Sequence, residues 1–181
     1  MFRISNKTRS TQVGVLSIVL GIAIYTLALP SVKVDAQIDC DAECRKGLAA
    51  VRAATAKYHD VNEALADGFV PASPCVQIPN VGAMGIHFVN HSRVDQNVNV
   101  REPEILLYLP DGSGELHLVA VEYFVPFVGT NPAPTLFGQT FAGPMPGHAP
   151  GEPFHYDLHV WIWRHNPSGM FTQFNSKLSC P

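Results

Sequence analysis

Residues 154–165 read FHYDLHVWIWRH and hold three histidines, a carboxylate and both tryptophans of the chain. Successive side chains of a β-strand point to opposite faces. The even positions Phe154, Tyr156, Leu158, Val160 and Ile162 are then an apolar face, with Arg164 at its end. The odd positions His155, Asp157, His159, Trp161, Trp163 and His165 form a face of ligand-type side chains. Neighbours at i and i+2 stand about 6.6 Å apart on a strand, close enough for two side chains to converge on one ion. His155 and His159 are about 13 Å apart on a straight strand and cannot share an ion. One of them could act with Asp157, with the remaining ligands coming from other strands. The alternative is that this face is a solvated edge or lines a wet groove.

Glu122 is the more unusual residue. It lies inside LVAVEYFVPF (118–127), with apolar residues on both sides. A buried carboxylate costs several kcal/mol unless it is paired, neutralised or bound to a cation. Its candidate partners are Arg93, Arg101, Arg164 or a histidine. Desolvation would raise its pKa, which suits a general acid or base. A structural Glu–Arg pair is the competing explanation. His87, in GAMGIHFVNHS, is flanked by Ile86 and Phe88, and Gly82 and Gly85 before it permit close backbone approach. The bland role for His87 is a core histidine bonded to a carbonyl. Together, His87, Glu122, Asp157 and His159 are mid-strand residues that one sheet could aim at one place. Histidines with a carboxylate suit zinc, iron or copper. Trp161 and Trp163 could form an apolar platform for a small ligand, although large aromatics usually serve as core.

Several other chemistries have no support in the sequence. There is no G-x-S-x-G, H-E-x-x-H, phosphate-binding G-x-x-x-x-G-K or dinucleotide fingerprint. Four cysteines, Cys40, Cys44, Cys75 and Cys180, suggest two disulfides. Because i and i+4 cysteines on a helix are awkward to join, Cys40 and Cys44 are expected to reach Cys75 and Cys180, in either order.

The elements that must position these residues are legible in outline. Leu48, Val51, Tyr58, Val61 and Leu65 recur at helical spacing between Asp41 and Asp67, with a break expected near 58–60 and a stop at Gly68. Residues 84–90, 104–110 and 115–127 read as strands. The last two are joined as a hairpin by DGSG, and are apolar enough to be covered on both faces. Short strands are expected within 135–142 and 170–174. Seven prolines between 126 and 153 mark a segment that wraps the surface or rims the site. The fold class is α+β: an N-terminal helical segment packed on an antiparallel sheet that could curl into a small barrel.

The chain has 181 residues and a basic leader, Arg3, Lys7 and Arg9, before an apolar run from Val13 to Leu29. This predicts a signal peptide over residues 1–36, ending at Val34-Asp35-Ala36, and a single secreted or periplasmic domain over 37–181. A retained membrane anchor is the alternative. Cleavage would remove four of the 12 basic and one of the 15 acidic side chains, leaving a net charge of −6. That balance argues against nucleic acid and acidic lipid surfaces as partners. Three function classes remain. The first is a disulfide-stapled domain binding a metal ion or small ligand through the His/carboxylate cluster. The second is an enzyme using the same cluster, with Glu122 as base or metal ligand. The third is a structural or interaction protein without a site.

Overall fold

The computed structural model describes residues 40–147 and 151–181. The expected signal peptide lies outside the described residues. Among the described residues no helix is long and apolar enough to cross a membrane.

Helix α1 spans Ala42–Thr55, a 3-10 turn follows at Ala56–His59, and α2 spans Val61–Ala66. Asp41 starts α1: its carboxylate accepts a hydrogen bond from the Cys44 N–H at 2.8 Å, as an N-cap should. Asp60 does the same for α2 through Asn62 N–H, so the expected break falls where a capping residue restarts the helix. Gly68, at φ +91, closes the segment in a left-handed conformation.

Among the described residues nine strands follow: β1 Val70–Pro71, β2 Val76–Ile78, β3 Gly82–Val89, β4 Ile105–Pro110, β5 Leu116–Pro126, β6 Thr135–Leu136, β7 Gln139–Thr140, β8 Ala142–Met145 and β9 His155–Val160. The main sheet has seven strands in the order β1-β3-β4-β5-β9-β8, with β2 also paired to β3; β6 and β7 form a separate small hairpin. Every pairing is antiparallel. The fold is α+β, and the sheet stays open rather than closing into a barrel. The β4–β5 turn is built as expected: Asp111 accepts from the N–H groups of Ser113 and Glu115, and Gly114 takes positive φ. Gly85, at φ +106, lies against β4, where an added Cβ would stand 2.5 Å from the Tyr108 carbonyl oxygen.

The two faces of the sheet bury different things. One face carries Leu106, Tyr108, Val121, Tyr123, Val125, Tyr156, Leu158 and Val160, and the helices cover it with Val51, Tyr58 and Ala64. The other carries a smaller apolar cluster, including Ile105, Leu107, Ala120, Phe124 and Trp161, closed by Leu178 of the C-terminal segment.

Two expectations need correction. The disulfides join Cys40 to Cys44 and Cys75 to Cys180. Cys40 sits before the N-cap rather than on the helix, so its Cα lies 5.3 Å from that of Cys44, within easy bridging range. Residues 170–174 are turns, not a strand, held by Asn166 and Thr172. The proline-rich segment divides, as a wrap and a rim: Phe137 and Phe141 pack on Tyr123, while β8 pairs with β9 and the Pro153 carbonyl meets His155.

Candidate metal centre

The alternation read from FHYDLHVWIWRH holds through β9 and then ends. His155, Asp157 and His159 share the face opposite the helices, and all three are almost wholly buried. They do not form a solvated edge, because β9 lies between β5 and β8. Beyond Val160 the chain leaves the sheet, so the two tryptophans part. Trp161 joins the smaller cluster and donates its Nε1–H to the Thr172 carbonyl. Trp163 turns to the helix side, against Arg52 and His59, and donates to the Thr55 hydroxyl. Both tryptophans still border one cavity, with Arg52, Ile162 and His165, whose lining does not include His87, Glu122 or His159.

Glu122 on β5 is the direct cross-strand partner of His159 on β9. His87 on β3 is two strands from β5, with Leu107 of β4 between. Leu107 faces Ala120, two residues from Glu122, so two strand spacings of about 4.8 Å and a step of about 6.6 Å along the strand put the His87 and Glu122 backbones about 12 Å apart, and the side chains reach toward each other over β4. The result is a convergence of three ligand-type atoms. His87 Nε2 lies 3.4 Å and His159 Nε2 lies 3.5 Å from Glu122 Oε2. All three atoms fall within 4.8 Å of one another, a spacing that could hold a metal ion. The two imidazole planes stand at 85°, as two ligands would when approaching one point from different directions.

These separations decide between two kinds of contact. N–H···O hydrogen bonds in proteins cluster at about 2.7–3.2 Å. The gaps here are longer, and Glu122 Oε2 is buried without a hydrogen bond among the described residues. Ligand atoms about 2.0–2.1 Å from one tetrahedral ion stand about 3.3–3.4 Å apart. The two gaps to Glu122 are those of ligand atoms around one tetrahedral ion, so the cluster could hold a cation. No arginine reaches Glu122 among the described residues: Arg93 serves the Pro103 carbonyl, Tyr58 and the face of Phe69, and Arg164 is exposed. The structural Glu–Arg pair is thereby replaced by a Glu–His cluster.

Asp157 and His155 continue the cluster along β9. Asp157 Oδ1 is 4.0 Å from His159 Nδ1, and Asp157 Oδ2 is 3.8 Å from His155 Nε2. Asp157 thus stands between His159 and His155, near both rings but beyond hydrogen-bond distance of His159 Nδ1. His155 stacks on Phe124 at 4.3 Å, and its Nδ1 lies 3.0 Å from the Pro153 carbonyl. A carbonyl only accepts, so Nδ1 carries a proton.

The electrostatics follow from burial. Desolvation pushes the Glu122 carboxyl well above its ordinary 4.5, and the charges of Asp157, Glu152 and Glu104 push it further. For His155, burial pulls its pKa down, but the Asp157 carboxylate, the Pro153 carbonyl and Glu152 outweigh it, and the net shift is upward. Glu104, at the start of β4, is also buried, and desolvation raises it to about 7 despite its hydrogen bond from the Phe124 N–H. Sequence reasoning gave Glu104 no role, although its place beside an apolar run was a usable signal. It also passed over Ser73, which touches His87 Nδ1 and which nothing in the local sequence marks.

No protein-family model matches the chain, and no curated protein or solved structure matches it significantly.

Proposed function

We propose that this protein is an exported, disulfide-stapled domain that binds one divalent transition-metal ion through His87 Nε2, Glu122 and His159 Nε2. The observation that carries this is the spacing of the two imidazole nitrogens, 3.4 and 3.5 Å from one buried carboxylate oxygen. Two imidazoles and a carboxylate suit zinc or iron, and the set leaves coordination positions for water or a small ligand. His87 keeps 12% of its side chain exposed, so exchange would occur on that side. Asp157 adds a second buried carboxylate beside the ligand set. The two disulfides fit an oxidising compartment, secreted or periplasmic.

The raised pKa of Glu122 supports a second reading, in which the carboxyl acts as a general acid or base without metal. Elemental analysis separates the two. Protein purified from the compartment to which it is exported should carry stoichiometric metal, lost in His87→Ala and in Glu122→Ala. Absence of metal from the wild type, even after dialysis against zinc, iron and copper in turn, would remove the metal reading and leave the second.

A further inference from the structure

The segment that joins β1 to β2 runs beside β3 at the level of His87. Backbone pairing places it there. Pro71 is opposite Phe88, Val76 is opposite Gly85, and Ala72 N–H donates to the His87 carbonyl at 2.8 Å. The Cys75–Cys180 disulfide ties the same segment to the C-terminal residues. The Ser73 hydroxyl therefore lands between the backbone and the ring of His87. It accepts the His87 backbone N–H at 3.1 Å and lies 3.0 Å from Nδ1.

A hydroxyl has one proton to give. Ser73 gives it to the Pro74 carbonyl at 2.8 Å. Its oxygen therefore faces the ring as an acceptor, and Nδ1 of His87 is the nitrogen that carries hydrogen. In a neutral imidazole the other nitrogen then presents a lone pair. That nitrogen is Nε2, the atom aimed at Glu122 Oε2.

We propose that Ser73 is the positioning residue that makes Nε2 of His87 a metal-ligating nitrogen. This rests on the metal reading above and adds to it a residue outside the ligand set. Ser73 does two things at once: it fixes the tautomer, and it holds the ring plane against β3. Without the hydroxyl the ring proton can move to Nε2, where it competes directly with a cation. Loss of such an outer partner typically lowers metal affinity about 10–100-fold.

The test has two readouts. The first is the tautomer of His87 in metal-free protein, read from its side-chain 15N shifts and couplings at a pH where the ring is neutral. The wild type should carry its proton on Nδ1. The second is cobalt(II) affinity, followed by visible d–d absorption. Ser73→Ala should move proton density toward Nε2 and weaken cobalt binding about 10–100-fold. Ser73→Thr, which keeps the hydroxyl, should bind within a few-fold of wild type. A proton on Nε2 in the wild type overturns the proposal, and that measurement needs no variant to fold. Equal cobalt affinity in wild type and Ser73→Ala overturns the role of Ser73 alone. A wild type that takes up no cobalt overturns both this role and the metal reading beneath it.

Discussion

The two faces of the central sheet are buried to similar depth and filled with opposite chemistry. On the helix side the polar atoms that go inside are satisfied by neighbours. Tyr108 donates its hydroxyl to the Tyr58 carbonyl at 2.6 Å, and Tyr123 donates to the Val100 carbonyl at 2.7 Å. Thr55 donates to the Val51 carbonyl at 2.8 Å, and most of the rest is aliphatic or aromatic, the kind of burial that holds a fold together at about 25 cal/mol per Å². The opposite face puts Glu122, Asp157, His155 and His159 inside, each at 2% exposure or less. Burying such groups costs several kcal/mol unless something compensates them. A sheet selected for stability alone would fill that face with leucine and valine. The contrast teaches that one face is a foundation and the other carries a charge-bearing site at the expense of the metal-free fold.

The comparison can be broken from either side. The largest effect is expected on the helix face. Leu106→Ala should cost about 2–5 kcal/mol, by the same amount with and without metal, measured by urea unfolding. A cost that vanished in the presence of metal would mean that the two faces are not independent. The next effect lies on the other face. Glu122→Gln keeps the shape and removes the charge. It should weaken zinc binding by at least the roughly 10–100-fold that loss of an outer partner costs, while leaving the metal-free protein at neutral pH no less stable than wild type. A large loss of metal-free stability in that variant would make Glu122 part of the foundation after all.

The smallest effect sharpens the comparison through pH. Burial raises Glu122 well above 4.5, Glu104 to about 7, and His155 ends above 6.5. A group whose pKa rises on folding stabilises the fold below its unfolded value, and that contribution is lost as pH climbs through the folded value. All three act in the same direction. The melting temperature of chelator-treated protein should therefore fall from about pH 4.5 to beyond pH 7. Asp67 and Asp111 are shifted downward by their hydrogen bonds and act in the opposite sense, but only below their ordinary 3.8. Metal binding needs the ionised carboxylate, so the stabilisation by zinc should grow over the same range. Parallel curves with and without zinc would show that Glu122 does not compete between proton and metal.

Much of the foundation was readable along the chain. The helical spacing of Val51 and Tyr58, the DGSG turn and the apolar runs of β4 and β5 are local patterns, and local physics sets them. The sheet order was not readable, because pairing β9 with β5 rather than with another strand depends on contacts between distant segments. The site was half legible. Glu122 stood out because a carboxylate inside an apolar strand demands a reason, and His87 stood out by its glycines. The disulfide pairing failed because it depended on whether Cys40 lay on the helix or before its cap, a matter of one residue. The strand alternation does not extend past Val160, where the strand ends, so Trp161 and Trp163 border a cavity of their own and not the cluster of His87, Glu122 and His159.

By itself the sequence determined the inventory: an α+β chain with a run of ligand-type residues on one strand face, a lone carboxylate on another strand, and two disulfides. These follow from period, composition and cysteine count, all of which are properties of neighbours in the chain. Tertiary structure alone decided that Glu122 and His159 are cross-strand partners. It also decided that His87 reaches them over β4 and that Ser73 selects which of its nitrogens does so. Those relations join residues 14 to 72 positions apart, the three ligand-type residues being 35 and more apart. They are set by register and strand order, in which a shift of one residue would turn every one of these side chains to the opposite face.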